Sequence, residues 1–336
     1  MDLNKISEAQ FSQAFTDGLQ DILLTQDQLG IFILVFANAL YDQRIWQKLK
    51  ADLAHQFQQI SHKFNYAGYQ NSAKNDIEVF KKIQTIGFNN IQQVQFKVLK
   101  DWRLQYNPLR ALRPPRVSDA VIKSIQAPFD TDGFHFGRSF LAKEILWQGV
   151  LNHQYINLFY NKFPFTPFHC LLVPESAEQH PQYLTHKWHQ YIFQLCQQLA
   201  VNMPHIGFGY NAYGAYASVN HLHFQFFIEE ALPIEQSKWQ HQQGKQAYPV
   251  KCVVFHDAVT SWQFIEQLHT KNQAYNLLYR ADKIFIITRQ MQGQDLRPAW
   301  SNGFAWYELM GCFTLFSEQN YQVLSNQMIT DAFLLN

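Results

Sequence analysis

The chain has 336 residues, 47% of them hydrophobic and 16% aromatic, enough to bury a large core in one big domain or two small ones. A formal net charge of +1 excludes a general nucleic-acid binder, whose affinity comes from an excess of Lys and Arg over the phosphate backbone, so any phosphate site must be local. Cys170, Cys196, Cys252 and Cys312 form no Cys-x-x-Cys pair and mostly sit in apolar segments, as reduced core residues of a cytoplasmic protein do. Met1 to Leu19 lacks the basic start and apolar block of a signal peptide.

Ser7-Glu-Ala-Gln10 has the pattern of a capping box, and Phe11, Phe15, Leu19, Ile22 and Leu23 follow at helical spacing. Leu29 to Tyr41 is strongly apolar but far short of the ~20 residues a membrane span needs, and Asn38 interrupts it, so a core helix is expected. Residues 47–94 are rich in Gln, Lys and Asn; Val79, Phe80, Ile83 and Ile86 recur as on a helix, with a loop expected from Gln70 to Asp76. Residues 1–94 thus read as a mostly helical segment of unknown role. Strand character begins at Phe96–Leu104 and continues at 155–160, 168–173, 205–210, 219–228, 250–255, 275–279 and 283–288. Two helices interrupt it, Thr185 to Ala200 and Thr260 to His269. Many strands with few helices predict an α+β fold, an antiparallel sheet with flanking helices. A faint repeat runs through it: 155–160 followed by 168–173 is echoed by 275–279 followed by 283–288, and the second copy lacks the motif described next.

That motif is His221-Leu222-His223-Phe224-Gln225. On a strand over 219–228 the two imidazoles and the amide share one face, while Leu222, Phe224 and Phe226 pack on the core. Such a row suits phosphorus: one imidazole attacks and neighbouring donors hold the non-bridging oxygens. His-x-His is also a metal-ligand spacing, and spacing alone leaves the two readings open. Context favours phosphate. Asn211, Gly214, Ala215, Ala217 and Ser218 form a small-residue approach for backbone N–H groups and a hydroxyl, and Gln225 is a poor zinc ligand but a good neutral donor. No metal and no cofactor is expected.

His-x-His-x-Gln resembles the transferase branch of the histidine-triad superfamily, and within it the GDP-hexose phosphorylases (GDP-L-galactose and GDP-D-glucose phosphorylases). Gln105-Tyr-Asn107-Pro-Leu-Arg110 with Arg113-Pro114, Gln126-Ala-Pro128-Phe129-Asp130, His169-Cys-Leu-Leu-Val-Pro174, Tyr248-Pro-Val-Lys-Cys-Val-Val-Phe255, Tyr275-Asn276-Leu277-Leu278 and Trp306-Tyr-Glu308 look like blocks of that family in the same order. The resemblance implies two fused histidine-triad half-barrels with one active centre, in a catalytic region over 95–336 whose halves are about 95–245 and 246–336. It implies that His223 attacks the α-phosphorus of a GDP-hexose, giving a guanylyl-histidine and hexose 1-phosphate, and that inorganic phosphate then releases GDP. His221 would orient the phosphate or leaving group, and Gln225 and Ser218 would donate to oxygen. An amide cannot relay protons to water, so the intermediate should wait for phosphate.

The resemblance also raises Asn107 and Arg110, with Arg113 and Arg116 in the same basic loop, to phosphate contacts. It places Asn161 and Lys162 near the nucleotide, and Trp306 and Glu308 near the hexose, and leaves His169 as structural. The expected partners are a nucleotide sugar and phosphate, with no nucleic acid and no membrane; a homodimer is compatible. The rivals are a dinucleoside polyphosphate phosphorylase or a hexose-1-phosphate uridylyltransferase of the same chemistry, and a non-catalytic nucleotide-binding sensor.

Overall fold

A computed structural model describes residues 1–67, 72–113 and 121–334. The N-terminal third forms α1 (Glu8–Thr25), α2 (Leu29–Tyr41), α3 (Gln43–Ala67) and α4 (Lys74–Ile86). The Ser7/Gln10 capping box is present, with Ser7 Oγ accepting from the Gln10 amide. α2 is buried nearly all round, as its composition requires, and no described helix is long and apolar enough to cross a membrane. Of the loop expected at Gln70–Asp76, residues 70 and 71 lie outside the described residues; α4 already begins at Lys74.

β1 (Gln95–Leu99) and β2 (Trp102–Tyr106) replace the single strand expected over 96–104. Lys100, in the left-handed region at φ 51°, turns the chain between them, and the sequence offers no Gly or Pro there to betray it. Asn107 caps the short α5 (Pro108–Ala111). Then come β3 (Ile145–Leu151), β4 (Gln154–Tyr160), β5 (Cys170–Pro174), α6 (His186–Ala200), β6 (Ile206–Asn211), β7 (Phe224–Ile228), β8 (Cys252–Phe255), α7 (Ala258–Thr270), β9 (Tyr275–Tyr279), β10 (Ile284–Thr288), α8 (Trp306–Leu309), β11 (Cys312–Leu315), α9 (Glu318–Val323) and α10 (Asn326–Phe333).

Eight strands form one antiparallel sheet in the order β3-β4-β5-β7-β6-β9-β10-β8. Within it β5-α6-β6-β7 and β8-α7-β9-β10 have the same chain order and the same pairing, and they meet where β6 runs antiparallel to β9. The two fused halves are therefore real in the topology, but the echo in the sequence was misaligned. β9-β10 takes the place of β6-β7, not of β4-β5; apolar hairpins look alike, and only sheet order separates them. A three-stranded sheet, β1-β2-β11, binds the ends of the region together, with β11 parallel to β2.

Alternation along β7 separates two cores. Phe224, Phe226 and Ile228 face a core shared with α1, α2, α6 and α7, so the N-terminal helices are part of the same packed body; Phe11 lies 5.0 Å from Phe226, ring to ring. Phe227 faces a second core with Trp102, Leu104, Trp306 and Phe313, under the small sheet. Gln225 points to that second side, where the sheet is left partly uncovered.

Candidate active site

The strand carrying the motif is shorter than expected. β7 begins at Phe224, so His221 and His223 lie in the irregular chain just before it. His223 and Gln225 line a cavity of about 1400 Å³. His221 does not; its ring is fully buried behind Phe136, with Phe129 at 5.2 Å and Phe136 at 5.6 Å between centroids. Period-two alternation fails for it because it stands outside the ladder. The Phe136 amide donates to His221 Nδ1 at 3.0 Å, and His221 Nε2 is a buried polar atom with no hydrogen-bond partner among the described residues.

The backbone of His221 is what touches His223. Its carbonyl oxygen lies 2.7 Å from His223 Nδ1. A carbonyl only accepts, so Nδ1 carries the proton and Nε2 keeps the lone pair. Burial pushes the His223 imidazole down to about 4, partly offset by that hydrogen bond. It is thus neutral, with the free lone pair on Nε2, throughout the neutral range. His221 is pushed by burial to about 3, and the neighbouring His223 adds to the effect.

Gln182, which nothing in its local sequence marks, clamps the His223 backbone. Its Oε1 accepts from the His223 amide at 2.9 Å, and its Nε2 donates to the carbonyls of Asn211 (2.8 Å) and His223 (3.3 Å). The residue sits 41 positions from His223 in a connecting segment, so only the fold brings it there.

Asn211, Ser218, Arg110, Arg113, Asn161, Lys162 and Glu308 also line the cavity. Asn211 Oδ1 is taken by Asn276 Nδ2 and the Trp306 amide, which leaves its Nδ2 for a ligand. Arg110 donates to the Phe163 carbonyl, with its guanidinium 4.8 Å from the Phe165 ring centre. Burial raises the Glu308 carboxyl to about 7, so near neutrality it can either donate or accept. The Lys162 ammonium is engaged by Asp76 at 3.2 Å and Glu144 at 3.3 Å. Asp76 belongs to α4, so the N-terminal helices supply part of the wall.

Three expected ligands do not reach the cavity besides His221. Asn107 spends its amide on structure, accepting from the Arg110 amide and donating to the Pro164 carbonyl at 3.0 Å. Gly214 adopts φ 83°, and a Cβ there would strike Met291 Sδ; glycine is needed for close packing, not for an anion. Trp306 is fully buried, stacked on Phe227 at 5.0 Å and lying over Gly209, where a Cβ would clash with the indole. Arg116 lies outside the described residues. Among the described residues no three His, Cys, Asp or Glu side chains are grouped to hold an ion.

The antiparallel sheet duplicated about β6 and β9, with His-x-His-x-Gln at the start of β7 over a cavity, has a counterpart among solved structures. The yeast Ap4A phosphorylase Apa2 has this fold: its crystal structure with Ap4A superposes with a TM-score of 0.51 at 15% identity, covering 79% of this chain and 97% of that one. Residues 88–227 match the family described as GDPGP1-like, N-terminal domain. GDP-D-glucose phosphorylase 1 of Homo sapiens is 33% identical over 136 residues, 37% of this chain and 33% of that protein. GDP-L-galactose phosphorylase 2 of Arabidopsis thaliana is 35% identical over 78 residues, 23% of this chain and 18% of that protein. The chain thus matches a third or less of the length of these relatives.

Proposed function

We propose that the protein is a nucleotidyl-transferring phosphorylase that cleaves a GDP-hexose with inorganic phosphate to GDP and hexose 1-phosphate. The observation that carries this reading is the His223 imidazole, neutral, held through Nδ1 by the His221 carbonyl, and offering Nε2 to the cavity. That cavity exceeds the roughly 300–1,000 Å³ usual for small-molecule sites, which suits a substrate with a base, two phosphates and two sugars.

In the first step Nε2 attacks the α-phosphorus and forms a P–N bond while the bond to the bridging oxygen breaks. The electron pair leaves on hexose 1-phosphate, and GMP remains on His223. In the second step a phosphate oxygen attacks the same phosphorus, the P–N bond breaks, and GDP departs with the imidazole neutral again. Gln225 Nε2 and Asn211 Nδ2 donate to the non-bridging oxygens as charge builds. Arg110 answers the phosphate charge, and Glu308 is placed for a hexose hydroxyl. The reaction needs no metal and no cofactor, and we place it in the cytoplasm, where the free thiols of the four cysteines are stable.

GDP-, UDP- and ADP-hexoses and dinucleoside tetraphosphates, each offered with and without phosphate to protein stripped by a chelator, test the assignment. We expect GDP-hexose with phosphate to turn over fastest and stripping to leave the rate unchanged. Faster use of a UDP-sugar or a dinucleoside tetraphosphate would move the assignment to a uridylyltransferase or an Ap4A-type phosphorylase. A rate recovered only by one divalent ion would restore the metal reading of His221 and His223.

A further inference from the structure

Behind Gln225 lies a histidine that the chemistry above does not use. His169 is fully buried where the chain enters β5, beside the strand that carries Gln225. Its Nε2 stands 2.5 Å from Gln225 Oε1, and its Nδ1 faces the Phe165 backbone amide at 3.4 Å. A backbone N–H can only donate, so Nδ1 holds the lone pair and Nε2 holds the proton. Asn161 Nδ2 also approaches Nε2, at 3.2 Å, but Asn161 Oδ1 is occupied by the Phe163 amide, so Asn161 presents a second donor there. Gln225 Oε1 is therefore the acceptor for the His169 proton.

The two ends of a glutamine amide have nearly the same shape and opposite polarity. Turned one way, Gln225 offers a phosphate an N–H; turned the other way, it offers a lone pair that repels it. We propose that His169 is a positioning residue that fixes the polarity of the Gln225 amide, anchoring its oxygen so that Nε2 is the end presented to the ligand. A neutral imidazole with one defined tautomer can do this at every pH where the enzyme works, because burial keeps His169 from protonating until about 3. A charged His169 would still donate, but it would place a buried cation against the Arg110 guanidinium. The proposal rests on the reading of Gln225 as a donor to the transferred phosphate.

The test uses His169→Phe, which keeps a ring without a donor, and His169→Gln, whose amide nitrogen reaches about where Nε2 lies, each in the wild-type and in the Gln225→Leu background. Thermal melting checks folding, and phosphorolysis of GDP-hexose gives kcat and KM. Loss of an oriented transition-state donor predicts a fall in kcat of about 10- to 100-fold for His169→Phe with KM little changed, and substantial recovery in His169→Gln. In the Gln225→Leu background His169→Phe should cost nothing more. Equal losses in both backgrounds, or no difference between the Phe and Gln variants at equal melting temperature, would overturn the proposal. An activity-independent arm separates it from the assignment of function. In protein labelled with ¹⁵N-histidine, the His169 Nε2–H signal should be present from pH 5 to 8 and shift in Gln225→Leu. A proton found on Nδ1, or a signal blind to Gln225→Leu, defeats the proposal whatever the wild type turns over, and a wild type inactive on GDP-hexose with the expected signal counts against the function alone.

Discussion

His223→Ala is expected to lower phosphorolysis by on the order of 10⁴-fold or more, the scale on which enzymes that act through a covalent intermediate lose rate when the nucleophile is removed. The reason is specific to the geometry. Of the two imidazoles in the motif, that of His223 has its Nε2 uncommitted and reaches the cavity, whereas His221 has its ring behind Phe136 and contributes its carbonyl. His221→Ala keeps that carbonyl, so its expected loss is smaller, about 10- to 100-fold, arising from an unsatisfied Phe136 amide and a cavity beside the nucleophile. Initial rates of both variants, with folding confirmed by melting temperature, check the order. Equal losses would return His221's ring to the centre of the chemistry.

A comparably large effect is expected on stability. Burial holds His169 and His221 near 3 and His189 and His223 near 4, while in the unfolded chain each titrates near 6.5. Between about pH 4 and 6.5 the unfolded chain therefore binds more protons than the folded one, so stability rises with pH through that window and levels off above it. Four such groups set a slope of up to roughly 5 kcal/mol per pH unit, from which the Glu308 carboxyl, raised by burial to about 7, takes back about 1.4, and the remainder is still a large fraction of the roughly 5–15 kcal/mol that holds a domain together. The melting temperature should be flat from pH 8 to 7 and fall by on the order of 10 °C between pH 6.5 and 5. A melting temperature unchanged down to pH 5 would mean that these imidazoles titrate near 6.5 in the folded protein as they do in the unfolded chain, and burial would then not be what keeps His223 neutral.

Much of the site could be read from the chain because its chemistry is local. Two residues of a strand-like row, His223 and Gln225, do reach the cavity from the same side, as alternation requires. What could not be read depends on partners far away in sequence. Gln182 holds the His223 backbone from 41 residues away, and the Lys162 ammonium, expected near the nucleotide, is engaged by Asp76 of α4 and by Glu144. Asn107 and Gly214 carry the right chemistry but spend it on a helix cap and on close packing. The N-terminal helices were legible as helices from their apolar spacing, yet nothing in that spacing shows that they share the sheet's core and wall the cavity. His169 was legible only as a polar residue heading a strand; its tautomer, and with it the orientation of Gln225, emerges from the Phe165 amide placed against its Nδ1.

The central claim is a covalent guanylyl-His223, and the most direct measurement is the intact mass of the protein mixed with GDP-hexose in the absence of phosphate, followed by peptide mapping. The account predicts a gain of one GMP per chain, located on His223, absent in His223→Ala, and discharged as GDP when phosphate is added. An adduct on another residue, or phosphorolysis at full rate by a protein that never gains the mass in a single turnover, would contradict it.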